Sequence, residues 1–157
     1  YAQLIIEAAA TQNVGIPLYA GDTWDSNVIL DAAKGKNVEI NITTFYQEGG
    51  NKEFDEGFKK WLNSNANNLT NNGGNDIVSA VSAMGCDAYY VALEAAKLAK
   101  STKPADIMKA LWNVDYQGVT GEIKFDSTNG DADRKVAYIK AADTKTGEWV
   151  FVKEQGV

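Results

Sequence analysis

The chain has 157 residues, 45% of them apolar and 23% charged, with 21 acidic against 15 basic side chains and a formal charge of −6. This is ordinary globular composition with enough apolar content for a real core. The basic residues form no block longer than a pair, which argues against nucleic acid or an anionic membrane surface as partner, because both require clustered Lys and Arg. Histidine is absent and Cys86 is the one cysteine, so serine-histidine hydrolases, cysteine-histidine proteases, histidine-ligated zinc enzymes, internal disulfides and cysteine-built metal clusters are excluded.

No run approaches the roughly 20 apolar residues of a membrane-spanning helix. The chain opens inside an amphipathic segment, with Leu4, Ile5, Ala8 and Ala9 at helical spacing, as expected if a natural amino terminus has been removed. This predicts a helix over about 2–13, ending near Asn13 and Gly15. Ile16 to Ala20 reads as a short buried strand, Gly21-Asp22-Thr23-Trp24 as a loop, and Asp25 or Ser26 as the cap of a helix over about 26–33. Such a unit is of parallel α/β type. Val38 to Thr43 alternates like a strand. The paired glycines after Phe45-Tyr46-Gln47-Glu48 suit a bend or hinge.

Asn51 should cap a helix over about 51–63 that carries Phe54, Phe58, Trp61 and Leu62 on one face. Asn63 to Asn75, rich in Asn and Gly, reads as a surface loop, and Asp76 as the start of a long helix to about Lys100. Pro104 opens a helix to about residue 113 at its first position. Val119 to Phe125, Val136 to Ile139 and Trp149 to Val152 then read as an antiparallel meander. Two Asn-x-Thr strings, at Asn41 and Asn68, are taken as chance matches to the glycosylation pattern.

Four strings point to a family: Ala20-Gly21-Asp22-Thr23-Trp24-Asp25-Ser26, Thr43-Thr44-Phe45-Tyr46, Cys86-Asp87-Ala88-Tyr89-Tyr90, and Gly118-Val119-Thr120-Gly121-Glu122-Ile123-Lys124-Phe125-Asp126. In order and spacing the chain resembles the carboxyl-terminal half of type 1 periplasmic binding proteins, the branched-chain amino-acid receptors of ABC transporters. The resemblance implies an α/β fold, part of a two-lobed clamp with ligand in the cleft. Residues 1–44 would belong to the second lobe, 45–50 to a crossing between lobes, 51–118 to helices covering the first lobe, and 119–157 to the return crossing and the last strands of the second lobe. It also implies an extracellular or periplasmic location with lipoprotein tethering, and a membrane permease as partner. No cofactor and no metal are expected.

The residues themselves single out Asp22, just past a parallel strand at the carboxyl edge of a sheet, where open α/β proteins bind ligands. The resemblance implies that its carboxylate receives a ligand's α-ammonium; the alternative is a turn residue bonding its own backbone. Trp24 either walls the cleft or covers the core. Tyr1 falls where the family carries a strand-end tyrosine near the ligand. Tyr46 either contacts ligand or lines the hinge.

The implied function is therefore binding of an amino acid or similar small polar solute by lobe closure, without catalysis. The alternatives are the ligand-sensing domain of a receptor, or a carboxylate-based hydrolase using Asp22 and Asp25. If the helical segment lacks its usual sheet, Phe54, Phe58, Trp61 and Leu62 form an exposed patch expected to drive self-association.

Overall fold

The computed structural model describes residues 1–156. Its first unit is helix, strand, helix, strand: α1 (Ala2–Thr11), β1 (Leu18–Ala20), a 3-10 turn (Asp22–Trp24), α2 (Asn27–Ala33) and β2 (Ile40–Thr44). The strands are parallel, Leu18 beside Ile40 and Ala20 beside Ile42. Alternation along β2 buries Ile40, Ile42 and Thr44 on one face. Ile40 and Ile42 form a core with Ile6 of α1 and Ile29, Ala32 and Ala33 of α2.

The carboxyl-terminal strands are antiparallel, as expected, but they divide between two sheets. β5 (Val136–Asp143) joins β2 and β6 (Glu148–Gly156) joins β5, so the main sheet runs β1-β2-β5-β6. β3 (Tyr116–Gly118) and β4 (Gly121–Ile123) pair only with each other among the described residues. The division follows from burial: Ile123 belongs to a separate core with Val91, Ala95 and Val114, and the tight turn at Val119-Thr120 returns β4 along β3.

Asp25 corrects the expected capping role. Its carboxylate accepts from the Thr44 hydroxyl at 2.8 Å and from Lys140 Nζ of β5 at 3.0 Å. The side chains of Lys140 and Asp25 are only 4% and 2% exposed. Ser26 takes the cap position of α2 without a side-chain cap bond. A buried charge is tolerated only when paired and hydrogen-bonded, so this pair commits the loop after β1, the end of β2 and the middle of β5 to one arrangement.

Between these units the chain is helical. Asn51 caps α3 (Lys52–Leu62), its Oδ1 accepting from the Phe54 amide at 3.0 Å. Phe54, Phe58 and Trp61 stack in a row with successive ring centroids 5.6 Å apart. The expected four-residue exposed patch is not presented. Leu62 is 1% exposed, and Phe54 and Phe58 pack on the small core of Tyr46, Val78, Ala80 and Ala83, leaving only Trp61 well exposed. Val78, Ala80 and Ala83 of the returning segment supply the partner surface for Phe54 and Phe58.

The Asn-rich loop contains one short helix, α4 (Ala66–Asn71), capped by Asn65. The long helix begins later than Asp76, as α5 (Ala80–Ala99), because Ser79 caps it and the Val78 amide is bound by Glu48 Oε2 at 3.0 Å. α6 (Pro104–Ala110) starts on Pro104 and runs into a 3-10 turn (Leu111–Asn113).

Asp87 is 1% exposed on α5. It accepts from the amides of Val119 and Thr120 at 2.6 and 2.8 Å and from the Thr120 hydroxyl at 2.7 Å. Gly118 makes this approach possible, since a Cβ there would lie 2.5 Å from Asp87 Oδ1. Asp87→Ala, which leaves three donors unanswered, is expected to cost about 3 kcal/mol or more in urea unfolding. Gly118→Ala, an overpacking change, should cost about 1–3 kcal/mol. Lys140→Met should cost about 3–5 kcal/mol by stranding the Asp25 carboxylate, whereas Lys140→Met combined with Asp25→Leu should recover most of that loss. Equal losses in the single and double variants would show that pairing is not what Lys140 contributes.

Candidate functional site

The carboxyl ends of β1 and β2 point the same way because the strands are parallel, so the loops leaving them converge. After β1, Gly21 is extended and the chain tightens into a 3-10 turn, with Trp24 N donating to Gly21 O at 3.1 Å and Asp25 N to Asp22 O at 2.9 Å. The turn is held from below by the buried Asp25-Lys140-Thr44 cluster.

Asp22 stands half-buried at the head of this turn. Among the described residues its carboxylate makes no hydrogen bond or ion pair, and it does not make the bond to its own backbone that a turn-forming aspartate makes. Trp24 is half-buried against the core of α1, α2 and the sheet, so it covers that core while sharing a turn with Asp22.

Tyr46 lies two residues past β2 and is 2% exposed. Its hydroxyl donates to Asp55 Oδ1 at 2.6 Å and accepts from the Asn51 amide at 3.1 Å. Burial, then the hydrogen bond to the Asp55 carboxylate, holds this phenol well above its ordinary pKa. Asp55 also accepts from the Gly49 amide at 2.6 Å, so Tyr46 and Asp55 together shape the Gln47 to Asn51 bend. Tyr1 is fully exposed at the start of α1, and no hydrogen bond joins it to the Asp22 turn. The structure thus brings Asp22 and Trp24 into one turn and sets Tyr46 into the bend after β2.

A groove of about 400 Å³ opens beside the bend, lined by Gln47, Glu48, Lys59, Val78, Lys140 and Trp149 among others. Within it Lys59 pairs with Glu48, and Lys140 with Asp25. Burial pushes the Cys86 thiol upward, against a role as a reactive thiolate. A two-acid hydrolase would need Asp22 and Asp25 both available, but Asp25 is locked beneath the turn. No group of three potential metal ligands occurs among the described residues, and no helix among them is long and apolar enough to cross a membrane.

Sequence reasoning passed over Lys140, Asp87 and Arg134. Lys140 was detectable as a lone cation within the apolar run Val136 to Ala142, and Asp87 as an acid among the small residues Ala83 to Ala88 of the long helix. Nothing local marks Arg134.

The family described as receptor family ligand binding region matches residues 2–140. Among solved structures, the leucine-binding protein LivK from Thermotoga maritima is 22% identical with a TM-score of 0.69, covering 99% of this chain and 43% of its own. LivJ from Streptococcus pneumoniae, a branched-chain amino acid transporter substrate-binding protein in complex with isoleucine, is 18% identical with a TM-score of 0.64, covering 99% of this chain and 41% of its own. An ABC transporter substrate-binding protein from Desulfitobacterium hafniense is 22% identical with a TM-score of 0.63, over 94% and 39%. The chain therefore spans less than half the length of these structures. No curated protein matches it. With the match running from α1 into β5, the chain belongs to the receptor ligand-binding-region family and carries the carboxyl-terminal part of its two-lobed, periplasmic-binding-protein-like α/β fold.

Proposed function

We propose that this chain is part of the extracellular solute-binding subunit of an ABC uptake transporter, taking an amino acid or similar small polar solute without catalysis. The observation that carries the reading is Asp22: a half-buried carboxylate at the carboxyl edge of two parallel strands, held rigidly from beneath and unanswered by any group among the described residues. A carboxylate in a partly dry cleft makes short, charge-assisted hydrogen bonds to an ammonium group and so selects zwitterions. Trp24 forms the neighbouring wall, and Tyr46 shapes the bend and does not spend its hydroxyl on ligand.

In this reading residues 1–44 and the strands after the return crossing form part of one lobe, 45–50 is a crossing, and 51–118 covers the other lobe. The likeness to solute-binding proteins named for leucine and for branched-chain amino acids supports the amino-acid class. A membrane permease is the implied partner, with the receptor tethered as a lipoprotein outside the cell. The family's description as a receptor ligand-binding region favours a sensor as the second reading. Flanking permease genes point to transport, and a fused signalling segment to sensing.

The test is calorimetric titration of the complete two-lobed protein with a panel of amino acids, for wild type and Asp22→Asn. Truncating one partner of a buried charged contact costs about 2–5 kcal/mol, a loss of roughly thirty- to several-thousand-fold in affinity. The melting temperature should be unchanged, because Asp22 makes no internal bond. Unchanged affinity for a confirmed amino-acid ligand removes Asp22 from the site.

A further inference from the structure

Arg134 lies on the run that returns the chain to the main sheet as β5. Its Nη1 donates to the Thr120 carbonyl at 3.1 Å and to the Thr120 hydroxyl oxygen at 2.6 Å. The same hydroxyl donates to Asp87, so the guanidinium is fastened, through Thr120, to a buried carboxylate on α5. On its other side the guanidinium carbon sits 5.8 Å from the centre of the Phe45 ring, within cation–π range. Phe45 is the first residue after β2. β2 and β5 are paired up to Thr44 and Tyr138, so both segments leave the main sheet side by side where Arg134 spans them.

The two sides of this contact differ in kind. Towards Thr120 and Asp87 it is made of short, directional hydrogen bonds, and Gly118 leaves no slack there. Towards Phe45 it is a charge over a ring face, which tolerates sliding and tilting far better than a hydrogen bond does. A chain carrying both contacts is stiff at one end and compliant at the other.

We propose that Arg134 is a positioning residue for domain movement: it yokes the two segments that join the main sheet to the helical part, so that they bend together about the Phe45 contact. In functional terms this rests on the clamp reading above, in which those segments are the crossings between lobes. Arg134 touches no ligand in this scheme. It narrows the range of relative orientations and so raises the fraction of molecules able to close.

The experiment uses the complete protein. Spin labels at Lys97→Cys on α5 and Lys145→Cys in the β5–β6 turn, both exposed, in a Cys86→Ser background, report the distance between helical part and sheet. Arg134→Gln and Phe45→Leu should each broaden that distance distribution. Phe45→Tyr, which keeps the ring face, should leave it narrow, and Phe45→Leu should melt close to the parent. In the complete protein the same two variants should weaken ligand binding roughly two- to thirty-fold, the range of one cation–π contact. Distributions as narrow as the parent's in both variants overturn the proposal. So does broadening in Arg134→Gln alone, which would make Arg134 a support for Thr120 only. If the complete wild-type protein bound no amino acid, the site reading would fail while the distance result would still decide the yoke.

Discussion

A lysine and an aspartate 115 positions apart meet in the interior and hold the molecule's sheet together. Asp25 follows the first strand and Lys140 lies in the fifth, and neither side chain has water to fall back on. Desolvating two charges is costly, and the cost is recovered only when the geometry is good and the remaining lone pairs are answered. Thr44 answers one of them, at the last position of β2. The three groups therefore select one register among strands distant in sequence. They also fasten the floor of the turn that displays Asp22 and Trp24.

A second buried carboxylate performs the corresponding task for the helical half. Asp87 gathers two backbone amides and a hydroxyl of the Val119-Thr120 turn onto α5, and the adjacent core of Val91, Ala95, Val114 and Ile123 closes around it. Two of the strings that mark the family, around Cys86-Asp87-Ala88 and Gly118-Val119-Thr120-Gly121, are thus the two faces of one contact. Gly121 has φ +103, a conformation an L side chain rarely adopts, so both glycines of the second string have a physical reason.

Between these two anchored halves run the segments after β2 and before β5. They carry Phe45, Tyr46 and Arg134, and their bonding is directed mainly towards the helical half: Tyr46 to Asp55 and Asn51, Arg134 to Thr120. Rigid ends joined by a compliant contact are what a hinge requires. The net charge of −6 and the absence of clustered cations argue against a polyanionic partner.

The sequence by itself determined the elements whose signals are local. Alternation in Val38 to Thr43 marks β2 because side chains alternate across a strand. Asn51 and Pro104 mark helix starts because each satisfies or lacks a particular amide. The position of Asp22 past a strand was legible for the same reason. Tertiary structure decided what depends on distant partners. Asp25 looks like a cap from its neighbours and becomes half of an ion pair only because Lys140 arrives from the far end of the chain. Phe54 and Phe58 look like half of an open interface until Tyr46, Val78, Ala80 and Ala83 pack against them. From sequence Tyr46 could face a ligand or the bend, and the partners of its hydroxyl, Asp55 and Asn51, come into reach only with the fold. Charged and hydroxyl groups take their roles from whichever partner burial brings within hydrogen-bond reach, and no local pattern records that partner.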